Sequence, residues 1–111
     1  MKVVNRIKSN EDFVATVKKG KTLKNSSYVV HYLKNGLTAC RIGLSVSKRL
    51  GNAVVRVRTK RQVRAMCDSL IDYANHTFDI VIIVRQDFLS KNFEDNKKAL
   101  SAILSEIGII K

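Results

Sequence analysis

The chain predicts a single domain of the α+β class. With 111 residues, 45% of them hydrophobic, it is long enough for one compact core and too short for two ordinary ones. Three segments carry apolar residues at the spacings of three and four that mark a helix, and three others carry alternating or β-branched runs of strand length. No linker, low-complexity tract or internal repeat interrupts them, and proline is absent, so nothing reads as a hinge.

Residues 1 to 9 are basic and irregular. Ser9 and Asp12 then have the spacing of a capping box opening a short helix, with Glu11 and Asp12 at its positive end and Gly20 to stop it. Phe13, Val14 and Val17 give this helix an apolar face. Phe13 either fills core or, followed by Lys18, Lys19 and Lys21, stands as an aromatic beside a basic rim. Tyr28 to Leu33 is rich in β-branched and aromatic residues and reads as a strand. Asn35-Gly36 is a hairpin signal, so this strand is expected to pair antiparallel with one beginning near Ala39. Alternation sets Tyr28, Val30 and Tyr32 on one face and Val29, His31 and Leu33 on the other. Either a face of this strand holds nucleic-acid bases, or the tyrosines cap a half-buried sheet with their hydroxyls in water.

Ile42, Leu44 and Val46 alternate with Gly43, Ser45 and Ser47 in a second half-buried strand, and Lys48 to Gly51 is a short basic connection. From Asn52, an N-cap, the residues Val55, Thr59, Val63, Met66, Cys67 and Leu70 form the apolar stripe of a long helix whose end is marked by Asn75-His76. Phe78 to Val84, reading FDIVIIV, is a nearly continuous apolar run expected of a central strand covered on both faces. Asp87, Ser90 and Asn92 are turn and capping residues before a last helix from about Phe93 to Ile107, with Phe93, Leu100, Ile103, Leu104 and Ile107 as its stripe and Gly108 as its stop.

Charge is where the chain departs from an ordinary small domain. The formal net charge is +12, and its distribution is uneven: residues 1–40 carry eight basic and two acidic side chains, residues 41–64 eight and none, residues 65–111 five and seven. Like charges at helical spacing repel, so the stretch RIGLSVSKRLGNAVVRVRTKRQVR implies a polyanionic partner. At about 100° per residue, Lys60, Arg64, Arg61 and Arg58 share an arc of roughly 160° away from the apolar stripe. Arg56 lies near the edge of that stripe, and Val57 is an apolar spot in the middle of the basic arc.

Other chemistry is missing. His31 and His76 belong to no cluster with carboxylates, the seven acids after residue 64 are scattered, and Gly43 and Gly51 are isolated, so neither a catalytic constellation nor a phosphate loop is present. An independent nuclease would need such a constellation. Two cysteines, Cys40 and Cys67, make neither a disulfide framework nor a zinc site and read as buried reduced thiols, a regulatory disulfide being the alternative. No run approaches the roughly 18 apolar residues of a membrane span, and MKVVNRIKSN lacks a signal-peptide core, so a cytoplasmic location is the default expectation.

The basic stretch resembles the signature of the protein component of bacterial ribonuclease P, through Arg41, Gly43, Lys48, Gly51, Asn52, Ala53, Val54, Arg56, Arg58, Lys60, Arg61 and Arg64 in one register. RIKSNEDF with Gly20 and the strand DIVIIVR are similar to the same family, and the likeness spans the chain. It implies a ribosomal protein S5 domain 2-like fold: a four-stranded sheet with three helices and a left-handed βαβ crossover, against the general right-handed preference. It implies a protein monomer in a 1:1 ribonucleoprotein with ribonuclease P RNA, acting on precursor tRNA, with Mg²⁺ bound mainly by the RNA. Lys48, Arg49, Arg56, Arg58, Lys60, Arg61 and Arg64 would face that RNA, and Phe13 would lie in a cleft between the first helix and the sheet that takes the 5′ leader. Three positions depart from the family pattern: Val57 stands where Asn is usual, Val17 where an aromatic is frequent, and His31 where Tyr is frequent. A ribosomal or general RNA-binding protein is the competing expectation from composition alone.

Overall fold

Each helix begins where a side-chain oxygen takes one of the backbone N–H groups that a first turn leaves unpaired. Ser9 Oγ accepts from the Asp12 N–H and opens α1 (Asn10–Lys19). Asn52 and Asn92 accept from Val55 and Asp95 and open α2 (Ala53–Leu70) and α3 (Phe93–Ile107). Gly108 closes α3 in the left-handed region at φ 86°, its N–H reaching the carbonyls of Leu104 and Ser105. The computed structural model describes residues 1–111.

The strands β1 (Lys21–Lys24), β2 (Tyr28–Lys34), β3 (Arg41–Ser45) and β4 (Phe78–Val84) form one mixed sheet in the order β1-β2-β4-β3. β1–β2 and β2–β4 pair antiparallel and β3–β4 parallel, with α2 making the crossover between the parallel strands. The expected hairpin between β2 and β3 does not form. Asn35-Gly36 does turn the chain, with Gly36 at φ 66° and Asn35 Oδ1 accepting from the Leu37 N–H. The Asn35 N–H, however, bonds the Thr77 carbonyl, and its side-chain amide donates to Asp79, so the chain steps past the start of β4. The apolar β4 takes the middle position because both its edges and both its faces then leave water. The true hairpin joins β1 and β2, where Asn25 Oδ1 accepts from the Ser27 and Tyr28 N–H groups.

One face of the sheet carries the core. Tyr28 and Val30 from β2, Ile80, Ile82 and Val84 from β4, and Ile42 from β3 pack against Val63, Met66 and Cys67 of α2 and Leu100, Ile103 and Leu104 of α3. Tyr28 is fully buried, its hydroxyl donating to the Asn96 carbonyl at 2.9 Å and its ring standing edge-on to Phe88, which corrects the expectation of hydroxyls in water. Asn96 is buried where Phe93 was expected, and Phe93 stays 38% exposed: the Asn96 side chain bonds the Phe88 carbonyl and ties α3 to the preceding turn. α2 ends at Leu70, short of Asn75-His76, because Ile71 bridges Ile110 and the Asp72 N–H bonds the Ile109 carbonyl.

α1 lies on the opposite face. Its buried residue is Thr16, whose hydroxyl bonds back to the Asp12 carbonyl, whereas Val14 is exposed. Phe13 settles on Gly43: a Cβ there would stand 2.9 Å from the Phe13 ring, so only glycine admits this approach. Both cysteines are free and buried.

Candidate nucleic-acid interface

Two surfaces meet around the end of β3. The first is the basic face of α2 together with the single 3₁₀ turn Lys48–Leu50 that precedes it. Lys48, Arg49, Arg58 and Arg61 are exposed, and Arg56, Lys60 and Arg64 are half-buried. None of these seven side chains makes an ion pair or an intramolecular hydrogen bond; the three ion pairs of the chain involve only Arg41 and the Met1 amine as cations. Arg56 Nε is buried without a hydrogen-bond partner, a donor whose loss of water costs about 1–3 kcal/mol unless an acceptor arrives. Val57 and Val54 stand 57% and 72% exposed on the same face, so the apolar spot expected at Val57 is a pair.

Arg41 is the exception in the basic stretch. Its guanidinium bonds both oxygens of Asp79 and one of Asp12, so this cation is spent inside the protein. Hydrogen bonding to Asp79, outweighing the opposing effect of burial, raises its pKa further.

The second surface is the sheet face on which α1 packs, where Val81 and Gly43 are buried and the row beyond them is only partly covered. Strand register places Thr22, His31, Val81 and Gly43 level across the four strands, with Phe13 over the Gly43 end. The next row, Val29, Ile83 and Ser45, is half-buried and lies beside it. The His31 Nδ1 shares a hydrogen bond of 2.8 Å with the Thr22 hydroxyl, and burial lowers the imidazole pKa. Tyr28 and Tyr32 point to the other face, which removes them from this surface. Phe13 and Arg64 line one small cavity of ≈ 170 Å³ with Arg6, Ile7 and Gly43, so the aromatic of α1 and the end of the α2 basic face come together over β3.

No three His, Cys, Asp or Glu side chains lie close enough together to hold a metal ion. Burial pushes the Cys67 thiol up to about 12 and raises Cys40, the opposite of an activated nucleophile. Burial and a hydrogen bond to Asp68 raise Tyr73, and burial raises Tyr28. No helix is long and apolar enough to cross a membrane.

The seven cations read from the sequence stand without ion-pair partners and Phe13 packs on Gly43, but two features were not legible there. Arg41 was not distinguishable from its neighbours, and the row through Thr22 depended on β1, whose sequence KTLK has one apolar residue and no strand signal.

Comparison with known proteins agrees with this arrangement. A family model described as Ribonuclease P matches residues 1–108. The ribonuclease P protein component of Bacillus cereus is 43% identical over 110 residues, covering 98% of this chain and 96% of that protein. That of Listeria welshimeri is 40% identical over 112 residues, covering 100% and 94%. Among solved structures, the RNase P protein of Staphylococcus aureus superposes with a TM-score of 0.84 at 33% identity over 96% of this chain and 98% of that one. The Thermotoga maritima RNase P protein gives 0.79 at 31% identity over 91% and 96%. On the full-length match in sequence and fold, the chain belongs to the ribonuclease P protein family.

Proposed function

We propose that this chain is the protein subunit of ribonuclease P, one copy joining one catalytic RNA to remove the 5′ leader from precursor tRNA. The carrying observation is the set of seven cations on α2 and its preceding turn, all without acidic partners, in a chain of this family. Lys48, Arg49, Arg56, Arg58, Lys60, Arg61 and Arg64 would hold RNA phosphates, the guanidiniums as forks and the ammoniums as point charges. A phosphate oxygen would also give Arg56 Nε its acceptor. The half-buried row of Val29, Ile83 and Ser45, with Phe13 and His31 beside it, would take the single-stranded leader, the Phe13 ring offering a base a surface that is indifferent to sequence.

The reaction would belong to the RNA and to Mg²⁺ bound mainly by it, which would supply Lewis-acid and charge-stabilising chemistry. The protein's part is positional and electrostatic. It binds the leader beside the RNA, and its positive field lowers the Mg²⁺ concentration needed where phosphates crowd.

The test is cleavage of a leader-bearing precursor tRNA by a bacterial ribonuclease P RNA at low Mg²⁺, with and without the protein, beside the protein alone. Stimulation only when the RNA is present is the expected result. Tight RNA binding without stimulation would leave a general RNA-binding protein, and cleavage by the protein alone would overturn the reading in favour of an independent nuclease.

A further inference from the structure

A second basic site lies at the far end of the sheet, away from α2. There Lys19, Lys21, Lys34, Tyr32, Leu33, Phe78 and Ile107 enclose an open groove of ≈ 490 Å³, within the range of about 300–1,000 Å³ typical of small-ligand sites. Its floor is apolar. The rings of Tyr32 and Phe78 meet edge to face at 5.9 Å and 65°, with Ile107 also lining the groove. Its rim is three lysines, all exposed, and none makes an ion pair or an intramolecular hydrogen bond. No acidic residue lines it.

The fold gathers these residues deliberately tightly. Gly20 turns the chain from α1 into β1, and a Cβ there would stand 2.5 Å from the Thr16 carbonyl oxygen and 2.7 Å from that of Tyr32. Without a side chain at this corner, Lys19 and Lys21 reach the same rim, and β-register sets Lys21 directly opposite Tyr32. Lys34 ends β2 opposite Phe78, so the third cation stands beside the second ring. Of the three tyrosine hydroxyls, those of Tyr28 and Tyr73 are bonded within the protein and that of Tyr32 is not.

We propose that this groove binds a segment of single-stranded RNA, a base lying against the Tyr32–Phe78 floor and the flanking phosphates meeting Lys19, Lys21 and Lys34. Aromatic surface beside unpaired ammonium groups is the pairing that single-stranded nucleic acid requires. An acidic protein segment would use the lysines but leave the rings and the Tyr32 hydroxyl without a matching group. This rests on the RNA-binding reading above and adds a contact that the α2 face and the α1 cleft do not make: a strand held here as well as in the cleft would be gripped on both faces of the sheet.

The test uses the full chain and a decauridylate carrying 4-thiouridine, with affinity measured across salt concentrations and the cross-linked residues mapped. Three phosphate contacts at about 0.7 each on single strands predict a log–log salt slope shallower by about 2 in the variant K19Q/K21Q/K34Q. They also predict a wild-type cross-link at Tyr32 or Phe78 that persists in R58Q/R61Q. An unchanged slope in the lysine variant, cross-links confined to α2 and the α1 cleft, or equal displacement of the RNA by polyglutamate would each overturn the groove as an RNA site. The substituted lysines are exposed, so folding is preserved and circular dichroism verifies it. Failure of the subunit reading shows separately, as absence of stimulated precursor cleavage by the wild-type chain.

Discussion

Arg41 and Asp79 face each other across the β3–β4 pair, the guanidinium donating from Nε at 2.8 Å and from Nη2 at 2.6 Å to the two carboxylate oxygens. Asp79 is 6% exposed, and Asn35 donates to it as well. Removing one member of such a pair leaves the other charge buried, which costs about 3–5 kcal/mol. R41A is therefore expected to lose about that much unfolding free energy in urea, and R41A/D79N to recover most of it. A single variant as stable as the wild type would mean that the pair is solvated after all.

Gly43 and the Phe13 ring test the seat of α1. A Cβ at residue 43 would press on Phe13 at 2.9 and 3.1 Å and on Ile7 at 3.3 Å. G43A is expected to cost about 1–3 kcal/mol through overpacking. In an F13A background most of that cost should vanish, so the double-mutant cycle reads a coupling; additive effects would place the strain elsewhere.

Arg58 and Arg61 are exposed, so their loss should spare the fold and weaken RNA. Each phosphate contact contributes about 0.7–0.9 to the slope of log affinity against log salt. The R58A/R61A chain is expected to bind ribonuclease P RNA with a slope shallower by about 1.4–1.8, and an unaltered slope removes both from the interface.

Thiol chemistry reports on the core. With Cys67 pushed up to about 12 and Cys40 raised by burial, the native protein should react with an aromatic disulfide reagent at pH 8 only as fast as it opens. In urea two equivalents should titrate at once. Rapid native labelling would contradict the packing of α2 against the sheet.

His31 links stability to pH. Burial holds the folded imidazole below its ordinary 6.5, so the unfolded chain takes up its proton first as pH falls. The contribution is complete above pH 6.5 and declines as pH drops from there toward the folded value. Urea midpoints between pH 7.5 and 5.5 should fall for the wild type and fall less for H31Q. The Thr22 hydroxyl is the polar group bonded to the ring, so T22V should alter the same window.

The long periodic elements were readable because their burial is one-sided or complete: the α2 stripe through Thr59, Val63, Met66 and Cys67, the run of β4, and α3 from Phe93 to Ile107 all stand where residue pattern set them. Non-local pairing was not readable. Asn35-Gly36 carries a genuine turn, but local chemistry says nothing of the strand from residue 78 onward that slips between β2 and β3. Thr16 and Asn96 are buried polar residues whose side chains bond backbone carbonyls, of Asp12 and Phe88, a pairing that no residue pattern marks. The unpaired basic face of α2 was legible as a group, since a charge run without acids leaves its mark in sequence, while the internal duty of Arg41 depended on an aspartate 38 positions away.

The strand order has a consequence for how the protein comes into being. β4, residues 78–84, is the only neighbour of β3 in the sheet and the only link between β3 and the β1–β2 hairpin. On a ribosome, the first three strands therefore emerge with no common partner, and β3 leaves the exit tunnel with its outer edge met only by Arg6 and Ile7 and its inner edge open. The keystone is the last strand to be made, and until it arrives the basic helix has no complete sheet to stand on, so an ordered α2 must wait for the second half of the chain.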